Sequence, residues 1–302
     1  MEPPVLLYGH PPPELFRAPA GAVQASPFEP GADDPLEARE THFASALVLA
    51  PPGALERDWV LARVLERLAP GAEIIALGPK DRGGARIAST LRGFGCDVSE
   101  EPKRRHRICR TRRPASPVNL EAALKAGAPR LDPGLGLWTQ PGVFSWDRLD
   151  RGSALLMDVL PDLGGRGADF GCGIGHLALR ILGSTAVTDL ELVDLDRRAI
   201  ACARLNLADP RVRFRHADVR RLGAAADLDF VVMNPPFHNG GREDKELGVA
   251  FIEAAARALK PGGACWLTAN QHLPYEQALA RSFREVRLKV QAQGYKVYEA
   301  IR

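Results

Sequence analysis

Paired cysteines, clustered histidines and long apolar runs are all missing from this 302-residue chain. The five cysteines (Cys96, Cys109, Cys172, Cys202, Cys265) are scattered, with no Cys-x-x-Cys pair. That spacing excludes a disulfide framework and a structural zinc site, and it fits reduced thiols in a cytoplasmic protein. No metal is expected. The N-terminus lacks a charged segment followed by an apolar one, and no apolar run approaches ~18 residues, so neither secretion nor membrane spanning is expected. No Gly-Lys-Ser/Thr phosphate cradle occurs, which removes an NTPase reading. No segment repeats in sequence. Hydrophobic residues make up 45% of the chain, an ordinary share for a globular protein. The net charge is only +3, but the positive charge is unevenly placed.

The length suits two domains. Residues 1 to about 40 are rich in Pro, Ala and acidic side chains without a period, and read as a loose arm or irregular cap. From Ser45 onward, apolar runs alternate with helical spacing (Val60, Leu61, Val64, Leu65, Leu68), so a small α/β unit is expected. Pro129 to Gly142, rich in Gly and Pro, reads as a linker. Beyond it the alternation is cleaner and ends in two apolar strands, Val286–Gln291 and Tyr295–Ile301, around Ala292-Gln293-Gly294. A mostly parallel, doubly wound sheet closing in an antiparallel hairpin is the expected architecture. The expected domains are 1–130 and 131–302.

Two loops carry the chemistry. Asp169-Phe170-Gly171-Cys172-Gly173-Ile174-Gly175 is a strand-to-helix turn. Its alternating glycines differ from the GxGxxG spacing of dinucleotide sites, but their missing Cβ atoms let backbone approach a ligand. Asp169 is placed to hold a ligand ammonium group. Asp194, about 20 residues on, ends the next strand where a carboxylate can accept both ribose hydroxyls. Asp218 ends the strand after that, where it can accept from an adenine amine. The order of these features fits S-adenosylmethionine.

The second loop, Asn234-Pro235-Pro236-Phe237, follows the apolar run Phe230–Met233. Prolines fix φ and lack N–H groups, so the loop is stiff. The Asn234 amide oxygen and the Pro235 carbonyl can both accept from one exocyclic amine, while Phe237 stacks on its ring. That arrangement localises the amine lone pair and stabilises positive charge growing on nitrogen. A base held this way must leave any helix. His238 follows as a hydrogen-bonding, packing or proton-accepting group. Phe144 and Asp150 are placed to close over cofactor or base; the alternative is an interdomain loop with a helix N-cap. Together the loops point to methyl transfer to a nucleobase amine.

Pro141-Gly142-Val143-Phe144-Ser145, Asp150-x-Gly-Ser, Asp169-x-Gly-x-Gly-x-Gly, Asn-Pro-Pro-Phe-His, Leu273-Pro274-Tyr275 and Tyr295-Lys296-Val297-Tyr298 occur in that order. This set resembles the small-domain ribosomal RNA guanine-N2 methyltransferases, the small-subunit branch most of all. The resemblance runs from Pro141 to the C-terminus. It implies two tandem Rossmann-like class I methyltransferase domains, the first degenerate, with Leu77-Gly78-Pro79-Lys80 in place of the glycine turn. It also implies that Asp169, Gly171, Gly173, Gly175, Asp194, Asp218 and Asn234 hold S-adenosylmethionine. Phe144, Pro236, Phe237 and His238 would border the guanine, and the protein would be a monomer. Asn239 stands where an acidic residue is common.

Lys103 to Arg113 is the densest charge run. It suits either a protected edge strand or RNA phosphates, with Arg104, Arg105 and Arg107 as contacts. The expected substrate is 16S ribosomal RNA or the small subunit that carries it. Alternatives are a large-subunit guanine, adenine N6, a protein glutamine, or a non-catalytic assembly factor. The glutamine reading is disfavoured by Phe237 in place of Tyr. The assembly reading is disfavoured by the intact glycine turn.

Overall fold

The computed structural model describes residues 4–31, 36–37, 42–223, 227–236, 238–239, 242–243 and 245–302. The chain divides into two units, Met1–Pro129 with Gln140–Gly142, and Arg130–Thr139 with Val143–Arg302. The first contains β1 (Val5–Tyr8), β2 (Val23–Gln24), β3 (Phe43–Leu49), α1 (Ala54–Arg67), β4 (Leu68–Pro79), α2 (Ile87–Gly93), β5 (Ser99–Lys103), β6 (His106–Arg112) and α3 (Leu120–Gly127). Its sheet runs β2-β1-β3-β4-β6-β5. Only β6 runs against the others, pairing antiparallel with both β4 and β5.

The second unit begins with a hairpin, β7 (Arg130–Asp132) and β8 (Leu137–Thr139), and α4 (Arg151–Val159). Then come β9 (Gly165–Phe170), α5 (His176–Leu182), β10 (Val187–Asp194), α6 (Arg197–Asn206), β11 (Val212–His216) and β12 (Leu228–Met233). After β13 (His238–Asn239) and β14 (Arg242–Glu243) follow α7 (Lys245–Ala258), β15 (Leu259–Asn270), α8 (Glu276–Ser282), β16 (Glu285–Ala292) and β17 (Tyr295–Ile301). The seven-stranded order is β11-β10-β9-β12-β15-β17-β16. Only β17 runs against the others; it pairs antiparallel with both β15 and β16, and with β16 it forms the expected terminal hairpin. Alternating side chains serve opposite faces. Val231, Met233 and Leu267 pack with Phe251 and Ile252 of α7, while Val232, Leu192 and Trp266 pack with Leu156 of α4 and Ile181 of α5.

Three expectations change. Residues 1 to 40 are not all loose: β1 lies inside the first sheet, between β2 and β3. Four apolar residues between prolines have no period to read, and their pairing comes from strand β3, some forty residues away. The segment read as a linker forms the β7–β8 hairpin. And Leu77-Gly78-Pro79-Lys80 is not the counterpart of the glycine turn, because it ends β4, which matches β15 by its place in the sheet.

The two sheets share one plan. Removing β11 from the second leaves the order and directions of the first. Ladder register then aligns individual residues. Val232 pairs with Asp169 and Leu47 with Leu7. A Cβ on Gly171 would face the Asn234 carbonyl, and one on Gly9 would face Leu49. So Leu7 stands at the place of Asp169, Leu49 at that of Asn234, and Gly9-His10-Pro11-Pro12-Pro13 at that of the glycine turn. Both polar groups of the two chemical loops are leucines in the first unit.

One core contact gives a direct test. Gly248 in α7 lies against Tyr275, whose ring edge and hydroxyl occupy the space a Cβ would need. Helix propensity alone would make Gly248→Ala stabilising by about 1 kcal/mol. Overpacking costs about 1–3 kcal/mol, and Tyr275 is fully buried, so overpacking wins. The net loss is up to about 2 kcal/mol, so thermal melting of Gly248→Ala should fall by up to about 8 °C. A higher melting point would mean that Tyr275 yields freely.

Candidate active site

The parallel strand ends bring the two chemical loops together. Asp169 lies next to last in β9 and is fully buried. Neither of its oxygens makes a hydrogen bond of normal geometry. Burial, and then the charge of Asp194, push its carboxyl up to about 8, against a lowering by the Ala178 N–H. Gly171, Gly173 and Gly175 all have positive φ (75°, 54° and 97°). Of the three, Gly173 has open space where a Cβ would be, while a Cβ on Gly175 would strike Leu207.

Asp194 ends β10 beside this turn. One oxygen accepts the Gly173 N–H and the other the Asp196 N–H, both at 2.8 Å. A carboxylate has about four acceptor sites, so these bonds leave acceptor capacity for a hydroxyl. Burial pushes this carboxyl up to about 6, with the Asp196, Gly173 and Leu195 N–H groups opposing. Asp218 is different. Its two oxygens receive the Arg220 N–H and guanidinium at 2.7–3.1 Å. Three Arg220 hydrogens, the Nε–H shared between both oxygens, hold this carboxylate in place after β11.

Asn234 follows β12 directly. Its Nδ2 donates to Asp150 Oδ2 at 2.8 Å and to Ser153 Oγ at 2.9 Å. Both amide hydrogens are thereby taken, and Oδ1 is left as the acceptor. Pro235 is buried and Pro236 exposed. Phe237 lies outside the described residues. The His238 backbone pairs with Glu243 in the β13–β14 ladder.

Asp150 caps α4, its side chain accepting the Ser153 N–H at 2.9 Å. Gly152 is required between them, since a Cβ would overlap the Tyr295 ring. The Asp-x-Gly-Ser string is thus a cap, a close approach and a second acceptor. Sequence reading placed Asp150 near the site but missed its bond to Asn234, and missed Ser153. The N-cap pattern was the only local signal. Phe144 is 58% exposed; its neighbour Val143 packs on Ile174 of the glycine turn, which sets Phe144 beside that turn.

The closing Tyr295-Lys296-Val297-Tyr298 strand is a clamp. Lys296 Nζ and Tyr298 Oη both donate to Glu276 Oε1 at 2.6 Å, tying α8 to β17. Burial opposes the Glu276 charge, but these two bonds win and lower its carboxyl to about 2. In the first unit, Arg104 and Arg105 form the exposed turn of the β5–β6 hairpin, and Arg107 is half-buried in β6. Among the described residues no His/Cys/Asp/Glu group is arranged to hold a metal, and no helix is long and apolar enough to cross a membrane.

The site residues fit S-adenosylmethionine. Asp169 is a buried acceptor with no side-chain donor and no hydrogen bond of normal geometry, Gly173 leaves room for close approach, and Asp194 keeps acceptor capacity for a hydroxyl. The fold and this site define a class I S-adenosylmethionine-dependent methyltransferase. Residues 134–299 match the family model described as methyltransferase small domain. A ribosomal RNA small subunit methyltransferase C of Pseudomonas paraeruginosa is 34% identical over 86% of this chain and 80% of its own length. One from Psychromonas ingrahamii is 31% identical over 87% and 77%. A solved T. thermophilus 16S rRNA N2 methyltransferase, in complex with AdoMet and guanosine, superposes with a TM-score of 0.78 at 22% identity, over all of this chain and 89% of that one. The chain belongs to the methyltransferase small-domain family, in the branch of ribosomal RNA small subunit methyltransferase C.

Proposed function

We propose that this protein methylates the exocyclic N2 amine of a guanine in 16S ribosomal RNA, as a cytoplasmic monomer. The observation that carries this reading is the Asn234 amide, fixed by Asp150 and Ser153 with Oδ1 free, at the end of the strand that pairs with the Asp169 strand. The names of the relatives, and the guanosine bound to the T. thermophilus enzyme, support guanine as the base. S-adenosylmethionine, when bound, supplies a methyl group already electrophilic enough for a weak nucleophile. The chain's task is then alignment. Asn234 Oδ1 accepts one amine hydrogen and the Pro235 carbonyl the other, which turns the nitrogen lone pair out of the ring system. Both acceptors also stabilise the positive charge that grows on nitrogen. Phe237 stacks on the base, with Phe144, Pro236 and His238 at its rim. Asp169 and Asp194, with Gly171, Gly173 and Gly175, hold the cofactor, and Asp218, oriented by Arg220, accepts at its adenine end.

The test is transfer of labelled methyl to small subunits, large subunits and protein-free RNA from cells lacking this gene. N2-methylguanosine at one site of 16S RNA is the expected product. Label in large-subunit RNA, or in a protein glutamine, would move the acceptor. No label despite cofactor binding would favour an assembly factor.

The first unit, on this reading, is a methyltransferase-like domain whose site has been lost and which docks RNA. The Lys103–His106 pair closes a two-residue hairpin turn in which Arg104 and Arg105 both have positive φ (45° and 63°). Asn-Gly is the favoured sequence there, and each non-glycine residue so strained costs on the order of 1 kcal/mol. Two exposed arginines kept at that cost suit phosphate contacts. Changing them to Asn-Gly (Arg104→Asn with Arg105→Gly) should raise the hairpin's stability yet weaken RNA binding. The slope of log affinity against log salt should become shallower by about 1.4–1.8. An unchanged slope would remove the arginine pair from the RNA interface.

A further inference from the structure

Asn234 can serve a base amine only if its amide faces the right way. The two ends of an amide differ little in shape, so shape alone does not choose between them. Here the choice is made by groups 84 and 81 residues away in sequence. Asp150 presents a carboxylate, which only accepts. Turning the amide over would set Oδ1 against Asp150 Oδ2. Ser153 Oγ takes the second hydrogen. The turn bearing both groups is itself held, because Asp150 Oδ2 also accepts the Ser153 N–H and Gly152 sits tightly against Tyr295. An N-cap needs one acceptor for a backbone N–H; this carboxylate does that and grips the Asn234 amide as well.

We infer that Asp150 and Ser153 are positioning residues for methyl transfer, fixing the Asn234 amide with Oδ1 toward the substrate amine and polarising it. A hydrogen bond from an amide N–H to a carboxylate draws electron density toward the amide oxygen, and linked hydrogen bonds strengthen one another in this way. Oδ1 therefore carries more negative charge where positive charge develops on the base nitrogen. The inference rests on the reading that Asn234 binds the amine.

Asp150→Asn is the informative variant, because its amide oxygen can still cap α4 while the charge is lost. We expect kcat to fall about 10–100-fold, with S-adenosylmethionine affinity and melting temperature near wild type. Ser153→Ala should lower kcat by a smaller factor. The Asn234 side-chain amide, assigned in nitrogen–proton NMR spectra by its loss in Asn234→Ala, should resist solvent exchange in the wild type and shift in Asp150→Asn. Wild-type kcat in Asp150→Asn with an unmoved Asn234 amide signal would overturn the inference while leaving the amine-binding reading intact. Full transfer by Asn234→Ala would instead remove that reading, and this inference with it.

Discussion

Asn234→Ala should lower methyl transfer to small-subunit RNA by about a hundred- to a thousand-fold, the scale seen when one preorganised polar group aimed at developing charge is removed. Cofactor affinity should change by less than about tenfold. The two effects separate because the side chain and backbone of Asn234 face different tasks. Its Oδ1 is the free acceptor, whereas its carbonyl borders Gly171 of the cofactor turn and survives truncation. The substitution also strips a donor from Asp150 and Ser153. Such unmatched acceptors cost about 1–3 kcal/mol when buried, so some loss of stability is expected. A melting curve measured beside the transfer assay keeps that loss apart from the catalytic one. Folded, cofactor-binding Asn234→Ala protein with wild-type transfer would sink the amine-binding role.

The chemistry of this chain was legible because it sits in short contiguous loops at strand ends. Asn234-Pro235-Pro236 and the alternating glycines each declare themselves within a few residues, and the parallel sheet then brings them together. What could not be read is what depends on pairing across long separations. The Asp150–Asn234 bond joins residues that no local pattern links. The β1 strand is four apolar residues among prolines, and only β2 and β3 on either side make it a strand. The counterpart of the glycine turn in the first unit was misplaced for the same reason. Sequence order suggested Leu77 to Lys80, while the ladder puts Gly9 to Pro13 there. That alignment also separates the two units chemically. Leu7 and Leu49 leave no acceptor at the two places where the second unit has Asp169 and Asn234, and three prolines replace a turn that must take positive φ.

Cofactor binding should tighten as pH rises from about 6 to about 8. Burial and the Asp194 charge raise the Asp169 carboxyl from 3.8 to about 8. In the unfolded chain the same group ionises near its ordinary value. The ligand-free fold therefore loses stability as pH rises from about 4 to about 8, where the unfolded chain is ionised and the folded one still holds its proton. A cationic ammonium beside Asp169 reverses the preference and favours the carboxylate. Binding below pH 8 must then release a proton, and the dissociation constant should fall by up to about tenfold per pH unit, or about fiftyfold from pH 6 to pH 8. Asp194, raised to about 6, adds to the loss at the acid end. Above pH 8 the gain should stop, because free α-amino groups lose their own proton near 7.7–8.0. Calorimetric titration at pH 7 in two buffers of different ionisation heat measures the proton directly, and a release approaching one is expected. Asp169→Asn should bind more weakly at pH 8, release no proton and show a flattened pH profile. Equal affinity at pH 6 and pH 8 in the wild type, with no proton released, would mean that the ligand's ammonium group is held by something other than Asp169.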